Sequence, residues 1–370
     1  MSHADTAPWL VPFQGIFLDS IGQLSDDVEL PADYLLHAGP PYASVNEIPQ
    51  PVLNAAAQVL MVDGAAQSLE QALHLVKSDR IKLKPAQSYG VVTPLAQVVS
   101  QHSWVFKISD GQQAAYAPLV ESGPPAVRFG SSAQATRDAL MALPALVAEL
   151  KHCMHEDRLQ IAPLIAAGLT GGDECHAVTA ATHSALLNAL TEPPQSLLAH
   201  HGFVLPIIMA ACALALRRAG TIRAIGCNGV NVGWQSATKP VWYQQKAPII
   251  SGEVFRADNT SVLRAIGDSA VIDFAGLGAQ ALAWSPQMQR VWKDYLPSMT
   301  AHKRSQIVDP NTGLVCINPV VRHHIAPRVH LAMIDTTGAG NILGRGVVEV
   351  DPTLFSSCTN YEAWAVAPWP

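Results

Sequence analysis

The spacing of apolar residues predicts a mixture of strands and helices in the first 154 residues. Apolar positions recur at helical spacing over residues 52–79, and the pair Asp63-Gly64 divides this stretch into two helices. The same spacing predicts a helix over residues 132–154. Two β-rich segments, YGVVTPLAQVVS and SWVFKISDG, lie between these helices, and PADYLLHAGPPYASV is typical of a strand that runs into a turn.

The pattern changes to helix over residues 160–220 and then to strand. Gly171-Gly172 and Pro193-Pro194 divide the helical stretch into three pieces, of which the most apolar, FVLPIIMAACALAL, is too short for a membrane span and predicts a buried helix. The segments that follow are β-branched and punctuated by glycine, and we predict strands in TIRAIGCNGVNVGWQ, AVIDFAGLGAQALAW, GLVCINPVV and VHLAMIDTTGAGNILGRGVVEV.

These patterns predict an α+β fold in which two mixed α/β halves flank a small all-helical module. The expected regions are residues 1–154, 155–220 and 221–370, with an irregular lead-in over residues 1–30. In the helical module, we expect helix rather than strand from Asp173 to Leu190.

Composition narrows the classes of partner. Of the 370 residues, 49% are hydrophobic and only 14% are charged, so the chain can bury a large core and is not disordered as a whole. The net charge of −6, with no dense Lys/Arg run, argues against nucleic acid or a membrane as partner. The low charged fraction favours contact with other subunits or a homo-oligomer.

Cysteine spacing and the N-terminus favour a cytoplasmic protein. The six cysteines include no CxxC pair, so neither a disulfide framework nor a structural zinc site is predicted. The opening residues, MSHADTAPWLVPFQG, lack the basic and apolar regions of a signal peptide.

Four reactive side-chain types stand side by side in LTGGDECHAVTAATH. If this is a helix start, Asp173 caps it, Glu174 favours the helix dipole and Cys175 is a small buried residue. His176 and His183 then share one face of the helix, which lines either a cleft or the core. Spacing alone favours the structural interpretation over a catalytic one.

Several motifs, in order along the chain, resemble the bacterial family that includes the oxamate carbamoyltransferase subunit of anaerobic allantoin breakdown. The block around Glu174 resembles the family's Met-Gly-Asp-Glu-Cys-His-Asn-Arg, and LLHAGPP resembles its Leu-His-Ala-Gly-Pro-Pro. Further similar segments are VRFG, IMAACALALRRAG, CNGVNVG, IGDSAVIDFAGLGAQALA and TTGAGNILGRGVV. The chain is thereby identified as a divergent member of this family.

Departures from the family pattern limit what the resemblance implies. Family members carry a Rossmann-like region before the His-Ala-Gly-Pro-Pro motif, and here only about thirty residues precede it, so we expect a shortened N-terminus. The family's Cys-His-His-His run is replaced by residues 86–89, AQSY, and its Asn-Arg pair by Ala177-Val178. Asp273 replaces a family glutamate. Because no other His/Cys cluster has ligand spacing along the sequence, we expect no tightly bound transition metal.

The resemblance assigns candidate roles to polar and glycine residues in the shared motifs. The candidate catalytic residues are Glu174, His176 and Asp268, with Glu174 or Asp268 as proton acceptor. The candidate substrate-binding residues are His37, Asn228, Gly267, Ser269, Gly340 and Arg345. Without the resemblance, the Gly-Asp-Ser and Asn-Gly segments are ordinary turns, and His37 is as well explained by a hydrogen bond to a turn.

The implied activity is carbamoyl transfer to a small amide or ureide, with carbamoyl phosphate as a candidate donor and no cofactor. This reaction needs an anion clamp, donors to the carbonyl oxygen and an oriented nitrogen. We expect Glu174 and His176 to line one cleft with Asn228, Asp268 and Ser269, with His37 at its rim. Two alternatives remain: a non-catalytic assembly subunit, and an amidohydrolase that needs no cofactor.

Overall fold

A computed structural model describes residues 8–120, 123–154, 158–255, 261–296 and 305–356. Its strands are β1 Phe17–Gln23, β2 Tyr34–His37, β3 Lys82–Pro85, β4 Trp104–Ser109, β5 Ala114–Pro118, β6 Leu159–Gln160, β7 Ile222–Asn228, β8 Asn231–Ser236, β9 Lys239–Lys246, β10 Ser251–Val254, β11 Ile266–Gly267, β12 Arg328–Ile334 and β13 Ile342–Glu349. Its α-helices are α1 Gln50–Val62, α2 Leu69–Lys77, α3 Gln134–Met154, α4 Ile161–Thr170, α5 Ala180–Ala189, α6 Leu205–Arg218, α7 Ala270–Phe274, α8 Pro286–Trp292, α9 Ile317–His323 and α10 Thr353–Ser356. A mixed α+β fold is thus confirmed.

Within the described residues, the strands form four small sheets. Their orders are β5-β4-β1-β6, β2-β3, β11-β7-β8-β9 and β10-β13-β12, and among these strands only β2 and β3 pair in parallel. The irregular lead-in predicted for residues 1–30 contains a strand, because β1 lies inside the first sheet and pairs with both β4 and β6. The predicted β-rich segment at residues 89–100 contains isolated bridges instead of a strand.

The stretch from residue 161 to residue 218 is mainly helical, as its apolar spacing predicts, but residues 173–179 form a turn where a helix from Asp173 was expected. Helices α4, α5 and α6 follow one another, with breaks at Gly171-Gly172 and around Pro193-Pro194. Residues 201–218 are long and apolar enough to cross a membrane by length and composition alone, but 72% of this segment is buried inside the protein. Burial of α6 in the core explains its apolar composition.

Two of the strands predicted after Gly220 are wrong. The segment AVIDFAGLGAQALAW forms α7 and two short 3₁₀ turns, and GLVCINPVV leads into α9. Short apolar runs are compatible with either a strand or a buried helix, so periodicity could not separate them. Packing in the tertiary structure, and not the local sequence pattern, determines that these two segments form helices and turns.

One apolar core includes residues from all three regions that the sequence suggested. Phe106 and Phe203 pack edge to face with ring centroids 5.5 Å apart, and Trp234 packs against Phe355 at 5.1 Å. Aromatic pairs of this geometry stabilise a core beyond the area they bury. The helical stretch is therefore packed into the same core as the sheets on either side of it.

The loop after β2 makes a close backbone approach to β7. Gly39 has a φ of +74°, and a Cβ atom at this position would lie 2.4 Å from the carbonyl carbon of Cys227. Only glycine combines this backbone conformation with so short a separation. The His-Ala-Gly-Pro-Pro segment is thereby fixed against the strand that ends at Asn228.

We expect Gly39→Ala to lower the free energy of unfolding by more than about 3 kcal/mol, because strain at positive φ adds to a backbone overlap. The matched control is Gly64→Ala, since Gly64 has a φ of +75° and no atom within 4 Å of its added Cβ. The control should lose only about 1 kcal/mol. Chemical denaturation measures both values, and equal losses would contradict the close approach.

Candidate functional site

The Asp-Glu-Cys-His block lies in a turn between two helices, and not in the first turn of a helix. Helix α4 ends at Thr170 and α5 begins at Ala180. The carboxylate of Asp173 nevertheless accepts hydrogen bonds from the backbone N–H and the hydroxyl of Thr182, both at 2.8 Å. Asp173 therefore supports the start of α5 from outside the helix, close to the predicted capping role.

Cys175 has the packing environment that the sequence suggested. Its side chain is fully buried, and its thiol lies 3.5 Å from the hydroxyl of Thr182. Burial raises the pKa of the Cys175 thiol far above its usual range. Since the thiolate is the nucleophilic form, this environment disfavours a nucleophilic cysteine.

Glu174 and His176 meet two residues from distant segments in a buried group, the histidine–carboxylate cluster, which consists of Glu174, His176, Asp273 and His330. Asp273 lies on α7 and His330 on β12. Nδ1 of His176 is 3.0 Å from Oδ2 of Asp273, and Nδ1 of His330 is 3.4 Å from Oε2 of Glu174. The two imidazole side chains are 6% and 1% exposed, and both carboxylates are fully buried.

Backbone N–H groups hold one oxygen of Asp273 in place. Oδ1 accepts hydrogen bonds from Ala279 at 2.8 Å and from His330 at 3.2 Å, while Oδ2 faces His176. A Cβ atom on Gly278 would lie 2.4 Å from Oδ1, so a glycine is needed where the chain passes this carboxylate.

Glu174 is equally constrained. Its Oε1 accepts a hydrogen bond from Val178 N–H at 2.7 Å, and its Oε2 accepts one from His176 N–H at 3.0 Å. Burial opposes ionisation, but the imidazoles of His330 and His176 and the bond from Val178 together lower the pKa of Glu174. For His176, burial favours the neutral ring, but the Asp273 carboxylate outweighs it and raises the pKa.

Several polar atoms of the histidine–carboxylate cluster make no well-formed hydrogen bond. They are Nδ1 of His176 and Oδ2 of Asp273, which lie 3.0 Å from each other, Nδ1 of His330, which lies 3.4 Å from Glu174, and Nε2 of His330. Nearly all buried polar groups in native proteins are paired, so this concentration marks the cluster as a candidate functional site. His176, Asp273 and His330 also present ligand atoms that all lie within 4.8 Å of one another.

Spacing along the chain does not reveal this spatial group, because its members come from a turn, a helix and a strand. Asp273 stands out in the sequence only as the replacement of a family glutamate, and His330 belongs to none of the family-like motifs. A signal was present, because His330 is a polar residue in the otherwise apolar strand segment VHLAMI. A buried polar residue in such a strand needs a specific partner.

Asp268 lies at the centre of a second polar group, in which every carboxylate oxygen is paired. Oδ1 accepts hydrogen bonds from Gly39 N–H at 2.8 Å and from the Gln87 amide at 2.7 Å. Oδ2 accepts bonds from the N–H and hydroxyl of Thr93, at 2.9 and 3.4 Å. Burial outweighs these four donors and raises the pKa of Asp268 to about 7. A Cβ on Gly226 would lie 2.4 Å from Oδ1.

Asn228 and His37 lie near this second group and have partners within the chain. The Asn228 side chain donates to the carbonyl of Pro40 and accepts from Val230 and Asn231, so it stabilises the turn between β7 and β8. Nδ1 of His37 lies 2.7 Å from the carbonyl oxygen of Ala38, while its buried Nε2 has no partner. Burial lowers the pKa of His37 to about 4.

The other predicted substrate-binding residues lie in different places. Gly267 packs against the backbone of Leu95, and Ser269 immediately precedes α7. Gly340 packs against Ser131, where an added Cβ would lie 2.3 Å from the serine Cβ. Arg345 is on β13 and is engaged in a 3.1 Å ion pair with Glu253, so the structure does not place it with Glu174 and His176.

The predicted site residues thus form two main groups and do not share one hydrogen-bonded network. Helix α7 connects the groups, since Asp268 precedes it and Asp273 lies within it. A cavity of about 290 Å³ is lined by residues of neither group, including Val232, Lys246 and Asp351. A single cleft that contains all the predicted residues remains a prediction.

Comparison with known proteins gives consistent similarities. The sequence profile of the family described as oxamate carbamoyltransferase subunit AllG matches residues 81–269. The chain is 28% identical over 290 residues to the oxamate carbamoyltransferase subunit AllG of Escherichia coli strain K12, covering 69% of this chain and 67% of that protein. It is 26% identical over 286 residues to the uncharacterized protein YahG of the same strain, covering 69% and 59%.

The fold has a counterpart of known structure. The crystal structure of a conserved protein of unknown function from Enterococcus faecalis V583 superposes with a TM-score of 0.82 at 21% identity. The match covers 96% of this chain and 95% of that one. At this level of identity the likeness concerns the fold alone.

We expect Asp268→Asn to destabilise the protein by about 2–4 kcal/mol at pH 8, because an amide offers one acceptor oxygen to donors that approach both oxygens of the carboxylate. The control is Asp138→Asn, at an exposed position on α3, which should change stability by less than about 0.5 kcal/mol. Urea unfolding measures both, and equal effects would contradict the role of Asp268.

We expect acidification to lower the free energy of unfolding, because His37 is buried. Its folded-state pKa of about 4 lies below the ordinary value of 6.5, so its stabilising contribution is complete above pH 6.5 and is lost as the pH falls towards 4. Between pH 7 and pH 4.5, wild type should therefore lose about 2–3 kcal/mol more unfolding free energy than His37→Gln. Parallel stability curves for the two proteins would contradict this assignment.

Proposed function

This chain belongs to the family of oxamate carbamoyltransferase subunit AllG, and we propose from that premise that it works in an enzyme that transfers a carbamoyl group to a small amide. The observation that carries the proposal is the position of the family's Asp-Glu-Cys-His block. Its Glu174 and His176 belong to a buried cluster with unpaired polar atoms, which is the arrangement expected of a reactive site.

The proposed reaction takes carbamoyl phosphate as donor and an amide such as oxamate as acceptor. The amide nitrogen attacks the carbonyl carbon, a C–N bond forms, and the C–O bond to phosphate breaks as phosphate leaves with the electron pair. The nitrogen gives up one proton to a base. The protein must orient the nitrogen and stabilise the charge that develops on the carbonyl oxygen.

His176 is the best-supported catalytic residue among those predicted. It is the most exposed member of the cluster, and Asp273 faces its Nδ1, as an orienting carboxylate does in many histidine sites. Glu174 and Asp268 are less suited to proton transfer than the sequence suggested. Both Glu174 oxygens already accept backbone N–H groups, and both Asp268 oxygens accept hydrogen bonds.

We propose further that the chain acts with other subunits in the cytoplasm. The similar protein from Escherichia coli is named a subunit, and the low charged fraction of this chain suits extensive contact with partners. The partners would complete a site whose acidic members are fully buried in this chain.

A second candidate function is that of a non-catalytic assembly subunit. The burial of the histidine–carboxylate cluster favours it, because substrate cannot contact Glu174 or Asp273 directly in this conformation. Under this alternative, the cluster stabilises the junction of α7, β12 and the turn before α5, and the chemistry takes place on another subunit.

The test is an assay of oxamate-dependent phosphate release from carbamoyl phosphate, using the chain alone and co-purified with the products of neighbouring genes. We expect His176→Asn to lower kcat by about 100-fold or more in the active assembly, as expected for loss of a proton-transfer group or oxyanion donor. The control is His183→Gln, at a buried histidine that contacts the carbonyl of Leu197.

The outcomes separate the two functions. Loss of turnover with an intact assembly supports the catalytic role of His176. Wild-type turnover in an assembly containing His176→Asn would favour the assembly subunit and reject the catalytic role. Ammonia release from oxamate without carbamoyl phosphate would indicate hydrolysis instead of transfer.

A further inference from the structure

We propose that His176, Asp273 and His330 bind a divalent transition metal ion of the zinc type, and that Glu174 orients His330. The site goes beyond the proposed carbamoyl transfer and stands whether or not the chain performs that reaction. Its three ligand residues come from a turn, from α7 and from β12, and their ligand atoms all lie within 4.8 Å of one another.

The donor set and its spacing suit such an ion. Two imidazoles and one carboxylate are common ligands of zinc and of other first-row metals. Metal–ligand bonds of about 2.0–2.1 Å in a tetrahedral site place ligand atoms about 3.3 Å apart. Nδ1 of His176 and Oδ2 of Asp273 are already 3.0 Å apart, so little movement is needed to bring both into one coordination shell.

The unpaired atoms are those that a metal would satisfy. Nδ1 of His176, Oδ2 of Asp273 and the ring nitrogens of His330 are buried without a well-formed hydrogen bond, although three of these atoms lie within 3.4 Å of an imidazole or carboxylate of the same cluster. In the group around Asp268, by contrast, every carboxylate oxygen is paired. Unsatisfied buried atoms also occur elsewhere in the described residues, but here four of them lie within one cluster, where a single bound ion could be their common partner.

The surrounding groups orient the ligands as they do in metal sites. Backbone N–H groups hold Oδ1 of Asp273 and leave Oδ2 for the ion. Glu174 faces Nδ1 of His330, so this carboxylate is placed to accept the Nδ1 proton and to leave Nε2 for the metal. A carboxylate behind a ligating histidine is a recurrent feature that fixes the ring and its tautomer.

A network of buried ion pairs without metal is the competing explanation. It would leave both ring nitrogens of His330 without a hydrogen-bond partner, although the Trp292 ring centroid lies only 5.4 Å from that of His330. A metal ion would supply a partner for one of these nitrogens. Three protein ligands also leave one tetrahedral position for water or a substrate atom, the arrangement found in catalytic zinc sites.

The experiment uses the full chain after treatment with a chelator, followed by titration with Co²⁺ and with Zn²⁺. We expect about one metal ion per chain, a visible absorption band from tetrahedral Co²⁺ that Zn²⁺ removes, and a higher Tm with Zn²⁺. Asp273→Asn and His330→Gln should each abolish the band, while the buried-histidine control His183→Gln should keep it.

A second variant covers the case in which these substitutions prevent folding. Glu174→Gln leaves the three ligands in place and should weaken Co²⁺ binding by about 10- to 100-fold, as loss of an orienting carboxylate does. The metal site is overturned if wild type gives no Co²⁺ band, or if Asp273→Asn and His330→Gln fold and bind Co²⁺ as wild type does. The orienting role of Glu174 is overturned if Glu174→Gln binds Co²⁺ as tightly as His183→Gln does. The experiment measures metal binding and not turnover. A negative result would therefore reject the metal site without bearing on the proposed carbamoyl transfer.

Discussion

The carboxylate of Asp268 joins segments that are far apart in the chain, and the placement of α7 depends on it. Gly39 and Thr93 donate backbone N–H groups to it, and Gln87 donates its side-chain amide. A buried carboxylate is costly unless it is fully hydrogen-bonded, so these segments hold one arrangement relative to one another. Since α7 begins two residues after Asp268, the position of Asp273 follows from the same constraint.

Two buried carboxylates within six positions therefore have opposite environments. Asp268 has donors on both oxygens, which is typical of a structural residue. Asp273 has donors on one oxygen, while the other faces an imidazole and lacks a well-formed hydrogen bond. We therefore interpret Asp268 as a carboxylate that stabilises the fold, and Asp273 as a carboxylate with one oxygen available to bind or react.

Glycine makes both arrangements possible. Gly226 passes beside Asp268, and Gly278 passes beside Asp273, each at a distance that a Cβ atom would reduce to 2.4 Å from a carboxylate oxygen. Among the glycines of the family-like motifs, Gly278 is therefore explained by close approach to a carboxylate, whereas Gly39 is explained by close approach to the backbone of Cys227. Neither glycine requires a phosphate-binding loop to account for it.

The sequence by itself determined the long helices, the breaks between them and the burial of α6 and Cys175, and it marked Glu174 and His176 as candidate site residues. These features depend on local periodicity, turn residues and resemblance, which a linear sequence retains. Only the tertiary structure decided that residues 270–274 form a helix, that Asn228 stabilises a turn, and that Asp273 and His330 complete the histidine–carboxylate cluster. The physical reason is that the partners of a buried polar atom come from whichever segments pack around it, and a turn, a helix and a strand with no common spacing can meet at one point.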